Sequence, residues 1–83
     1  MSISKKKMEW SNMVRSFRDY LSWKKGKAVS RKTLAELVGV HWQSITNWES
    51  GKSAETVHKS MMMIEMKKSG FLDWMENNMK GVE

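Results

Sequence analysis

Residues 34–52 read LAELVGVHWQSITNWESGK, and the order of small, apolar and glycine positions in them leaves few ways to fold. Two short helices that meet steeply across a tight turn need a small residue at their closest approach, and Ala35 supplies it. The turn needs a residue that tolerates positive φ, which Gly39 provides without steric cost. An apolar plug just past the turn is present as Val40, and apolar anchors on one side of the second helix are present as Ile45 and Trp48. Gly51 then ends that second helix.

The rest of the chain extends this helical pattern. There is no proline, strand-forming residues are sparse, and no stretch alternates apolar and polar residues long enough for a sheet. An all-α fold of five helices follows. The first helix spans about Lys7 to Lys24, with Trp10, Met13, Val14, Phe17, Tyr20 and Leu21 on one face and Arg15, Arg18 and Asp19 turned away from it. Gly26 closes it, flanked by Lys24, Lys25 and Lys27, which suit a helix C-terminus. Ser30 is the N-cap of a second helix, Arg31 to Val38, with Leu34, Ala35 and Val38 inward. His41 caps a third, Trp42 to Ser50. Ser53 caps a fourth, Ala54 to Lys68, whose expected core face is Val57, Met61, Ile64 and the stem of Lys68. Ser69-Gly70 breaks it, and Phe71 to Met79 forms a short fifth helix.

Eighty-three residues make one domain, here a basic tail at 1–7 and a folded unit over 8–83. Cysteine is absent, so neither disulfides nor thiolate metal sites are available. His41 and His58 have no carboxylate or thiolate cluster around them, so no metal site and no cofactor is expected. No residue pair has the spacing of a nucleophile and its base, and an enzyme is not expected. No apolar run resembles a signal sequence or spans a bilayer, and the chain reads as a cytoplasmic protein.

Charge narrows the partners. Fifteen Lys and Arg face nine Asp and Glu, for a formal net charge of +6. Ten of those cations lie in residues 1–32 (Lys5, Lys6, Lys7, Arg15, Arg18, Lys24, Lys25, Lys27, Arg31 and Lys32) against Glu9 and Asp19 alone. Such asymmetry suits a surface that neutralises phosphates, although it also serves solubility. Lys5 to Lys7 offer either an arm along a duplex or a solvated tail.

The pattern Leu-Ala-x3-Gly-Val-x4-Ile-x2-Trp-Glu-x-Gly-Lys, from Leu34 to Lys52, resembles the Cro/lambda-repressor-like (XRE-type) helix-turn-helix family. The motif lies at about 30–51, and helices before and after it match the family's five-helix layout. The chain differs from the family pattern in a longer loop at Gly26 to Val29. It also has Ser53-Ala54 where a proline is frequent, and His41 and Trp42 where smaller polar residues are common. The resemblance implies a dimeric, sequence-specific transcription regulator of a phage, a mobile element or a toxin–antitoxin operon. It also implies that Glu49 pairs with a basic side chain of the first helix, Arg18 being one candidate.

If the third helix enters the major groove, its wheel turns Trp42, Gln43, Thr46 and Asn47 outward. Gln43 and Asn47 share a face, and each amide matches the N6 and N7 edge of adenine. Thr46 is placed for a thymine methyl. Trp42 either packs on a sugar or methyl group or lies on the protein itself. Ser30, Arg31 and Lys32 sit at a helix N-terminus, which attracts phosphate, with Ser44 and Lys52 as further phosphate contacts. Phe71, Leu72, Trp74, Met75 and Met79 carry more apolar surface than one terminal helix buries, so part of it closes the core and part suits a two-fold interface on a palindromic operator. The short length favours repression over activation. The alternative is a protein-binding module, such as an antitoxin or a phage-encoded host-factor binder, that uses the fifth helix.

Overall fold

The computed structural model describes the backbone of residues 9–80 and the side chains of residues 9–78. The basic stretch Lys5 to Lys7 and the Met79 side chain lie outside the described residues. Five helices follow one another: α1 (Trp10–Lys25), α2 (Arg31–Val38), α3 (Trp42–Glu49), α4 (Thr56–Lys68) and α5 (Phe71–Lys80). Strands are absent among the described residues, so the domain is all-α as expected. No helix among them is long and apolar enough to cross a membrane.

The anticipated apolar face of α1 is the spine of the core. Val14 and Phe17 are fully buried, Tyr20 and Leu21 nearly so, and Trp10 and Met13 pack at the margin. Gly26, at φ 75°, ends α1, and its N–H donates to the Ser22 carbonyl at 2.9 Å. The long loop that follows is held by Ser22 and by Arg18, whose Nη1 donates to the Val29 carbonyl. Ser22 Oγ donates to the Arg18 carbonyl at 3.0 Å and accepts the Val29 N–H at 2.8 Å. Val29 is thereby held in the core, and α2 starts from a defined position.

Two expectations need correction, both in the second half of the chain. Helix α4 begins at Thr56, with Ser53 outside it and Glu55 at the cap position without a side-chain cap bond. Its buried residues are Met62 and Met66, with half-buried His58 on the same side. Of the stripe expected inside, Met61 is partly buried against the core, but Val57 is 59 % and Ile64 57 % exposed and Lys68 is exposed. The sequence Met61-Met62-Met63-Ile64 puts apolar side chains on every side of the helix, so spacing alone does not choose a face. The inner face is the one whose flexible methionines, Met62 and Met66, enter the core cluster where α4 packs on α2 and α5. It also brings His58 against Trp48, with ring centroids 6.0 Å apart.

The second correction concerns α5. Phe71 is fully buried, with its ring centroid 5.2 Å from Phe17 and 5.4 Å from Tyr20. It belongs to this chain's own core and has no surface to offer a partner. Leu72 and Met75 are partly buried against the same core. Of the proposed interface set, Trp74 alone is described as exposed. The aromatic side chains of α1 demand this cover, since α2 and α3 are too short to reach the whole length of its apolar face.

Candidate nucleic-acid interface

Helices α2 and α3 form the unit that the sequence singles out. Ser30 caps α2, its Oγ accepting the Thr33 N–H at 3.1 Å and donating to Thr33 Oγ1 at 3.0 Å. Gly39 ends α2 at φ 95°, and both its N–H and that of Val40 donate to the Ala35 carbonyl, at 2.8 and 3.0 Å. Ala35 is 2 % exposed, as the close approach of the two helices requires. His41 caps α3 through Nδ1, which accepts the Gln43 N–H at 3.1 Å. An imidazole nitrogen thus replaces the hydroxyl or carboxylate usual at this position.

Helix α3 is two-sided. Ile45 and Trp48 are buried, and Trp48 meets Trp10 edge to face at 5.9 Å. On the other side Gln43 is exposed and Thr46 and Asn47 are half-buried. Gln43 Nε2 donates to Asn47 Oδ1 at 3.2 Å, so the two amides form one polar unit. Trp42 is 46 % exposed and stacks on the His41 ring at 5.6 Å, which places it at least partly on the protein. Thr46 Oγ1 donates back to the Trp42 carbonyl at 3.4 Å.

Glu49, the last residue of α3, is 3 % exposed and anchors a knot of arginines. Its carboxylate accepts from Arg18 Nε at 2.8 Å, Arg18 Nη2 at 3.0 Å and Arg31 Nε at 2.9 Å. Arg15 Nη2 donates to the Glu49 backbone carbonyl at 2.6 Å, and Arg18 Nη1 donates to the Val29 carbonyl at 3.3 Å. Burial alone pushes the Glu49 carboxyl up, but the hydrogen bonds and charges of Arg18 and Arg31 outweigh it and hold its pKa below the usual glutamate value. The Glu49 hydrogen bond, working against desolvation, raises Arg18 further. The pairing of Glu49 with Arg18 was anticipated. Arg15 keeps the exposed position that its place on α1 implies, but the reach of both Arg15 and Arg18 to the end of α3 was not anticipated. The sequence signal that marks them is their spacing of three residues, which aims both guanidinium groups at one side of α1.

The expected phosphate contacts divide by what already holds them. Ser30 Oγ is committed to its cap. Arg31 is half exposed, with Nε on Glu49 and no hydrogen bond from Nη1 or Nη2 among the described residues. Lys32 and Lys52 are exposed, and Ser44 is half-buried. Asn47 also ends α3, its carbonyl accepting from Lys52 N at 3.0 Å and Ser50 Oγ at 2.8 Å. Among the described residues no group of three or more His, Asp or Glu side chains is placed to hold a metal ion. The chain matches no family model, no curated protein and no solved structure.

Proposed function

We propose that the chain is a sequence-specific double-stranded DNA-binding regulator of the Cro/lambda-repressor-like kind, with α3 as the helix that enters the major groove. The observation that carries this reading is the two-sidedness of α3. Ile45 and Trp48 fasten it to the core, while the Gln43–Asn47 amide unit, Thr46 and the edge of Trp42 stay accessible on its other face. Arg31 and Lys32 stand at the start of α2, where free backbone N–H groups and the helix dipole favour a phosphate. The Glu49 carboxylate fixes Arg31 in place, which lowers the entropy lost when its remaining N–H groups grip an oxygen.

The regulator acts as a homodimer, bringing two α3 helices to successive major grooves about 34 Å apart on a palindromic operator. It represses by occupying that site. Apolar surface for the second copy comes from the outward side chains Leu37, Val57 and Ile64. The test is selection of binding sites from random duplexes at about 150 mM salt, where weak phosphate attraction is screened. An enriched palindrome is the expected result. Absence of enrichment, with binding that disappears as salt is added, rejects the reading.

A second reading, a protein-binding module such as an antitoxin or host-factor binder, draws on one observation. Trp23 and Trp74 line a cleft between α1 and α5 and are 69 % and 39 % exposed.

A further inference from the structure

The cleft between α1 and α5 is about 310 Å³ and is lined by Ser16, Asp19, Tyr20, Trp23 and Trp74. That volume lies at the lower end for drug-sized ligands and accommodates a single long side chain. We propose that it binds an arginine side chain presented by a partner polypeptide.

The floor is Tyr20, whose hydroxyl donates to the Ser69 carbonyl at 3.1 Å and whose ring lies 5.3 Å from Trp74 and 6.0 Å from Trp23. Three aromatic rings line one space, and the exposed indoles of Trp23 and Trp74 are the ones open to a cation, which ring quadrupoles attract. The Tyr20 ring already receives one: Lys24 Nζ lies 5.6 Å from its centroid, tied to the Ser69 carbonyl at 2.8 Å. Asp19 adds a carboxylate to the cleft wall that makes no salt bridge among the described residues, with Arg18 the cation whose charge it feels. Ser16 adds a hydroxyl acceptor. A planar guanidinium satisfies the whole set, lying flat on indole while its edge donates to the carboxylate. A quaternary ammonium has no N–H for Asp19, and a lysine has no planar face to stack. A second copy of this chain is a poor donor, because all three of its arginines, Arg15, Arg18 and Arg31, are bonded to Glu49, and the one with both Nη groups unbonded, Arg31, stands at the start of α2 for a phosphate. The cleft includes no residue of α2 or α3.

The experiment follows the tryptophan indole N–H resonances of the full chain by NMR. The probes are Nα-acetyl-arginine methylamide, its neutral isostere Nα-acetyl-citrulline methylamide, the lysine counterpart, and tetramethylammonium. The arginine probe should move the Trp23 and Trp74 signals and leave Trp10 and Trp48 in place, while citrulline moves none. Asp19→Asn should weaken the arginine response severalfold. Trp23→Ala should abolish the Trp74 response. Both substitutions fall on exposed side chains, and unshifted Trp10 and Trp48 signals report an intact core. The proposal is overturned by silence at Trp23 and Trp74 up to about 0.1 M arginine probe, where even very weak binding registers. An equal response to citrulline, an undiminished response in Asp19→Asn, or a response to lysine or tetramethylammonium that matches arginine overturns it as well. Of the last pair, lysine would point to a second copy of this chain and tetramethylammonium to a small quaternary ligand.

Discussion

Gln43 and Asn47 stand one helical turn apart and are already bonded to each other. With Gln43 Nε2 turned to Asn47 Oδ1, the Asn47 Nδ2 and the Gln43 Oε1 are the atoms left to face a base edge. Asn47→Ala removes the amide nearer the body of the helix and should cost about 1–3 kcal/mol on the preferred site, with relaxed choice at one base pair. Gln43→Ala should cost at least as much, because it removes the group that orients Asn47 as well as a reader. The double substitution should therefore fall short of the sum. Binding to matched and single-mismatch duplexes checks all three. Arg31 behaves differently. Its loss should weaken every duplex alike and lower the slope of log affinity against log salt by about one unit, read from titrations at several salt concentrations. A change of sequence preference in Arg31→Ala would assign it to base reading instead.

Among the helices, α5 tests whether apolar surplus at a chain's end means a partner or a core. Phe71→Ala opens a void between Phe17 and Tyr20 and should cost about 3–5 kcal/mol, seen as a lower urea midpoint. Trp74→Ala removes a ring that touches Tyr20 and Phe71 from a partly exposed position and should cost roughly 1–2 kcal/mol. Equal costs would mean that α5 does not seat on α1 through Phe71. How well each helix could be read from sequence follows from how it is held. The α2–α3 unit is legible because its constraints are local: a serine cap, an alanine at the crossing and a glycine at φ 95°. The α4 face is not, because its methionines fill several sides and the choice depends on how the helix packs on α2 and α5. That part of α5 closes the core was legible, but not that Phe71 is the residue wholly inside while Trp74 stays partly exposed, since that division is set by tertiary packing. Within the candidate site, Gln43 and Asn47 were legible from the helical wheel. The attachment of Arg15 and Arg31 to Glu49 was not, because each joins residues of different helices.

At the scale of the whole molecule, the Glu49 knot joins α1, α2 and α3 and the loop at Val29. An anion at the C-terminus of α3 opposes the helix dipole and loses water on burial. It is tolerated because Arg15, Arg18 and Arg31 surround it. Removing the charge leaves cations facing one another across the helix junction. Glu49→Gln should therefore cost about 2–3 kcal/mol at neutral pH, less than a fully buried pair because Arg18 and Arg31 keep some water. The dependence on pH has a definite sign. The folded pKa of Glu49 lies below its unfolded value, so the folded chain binds fewer protons there than the unfolded chain. The resulting stability is fully present above the unfolded value, about 4.3 for glutamate, and drains away as pH falls through the folded one. Urea unfolding of the wild type and Glu49→Gln across that range isolates the contribution, since the other carboxylates titrate in both. The stability gap should be widest near neutrality and narrow steadily in acid. Two curves that run parallel into acid would show that some other group carries the linkage, and that the arginines hold α3 through its backbone carbonyl alone.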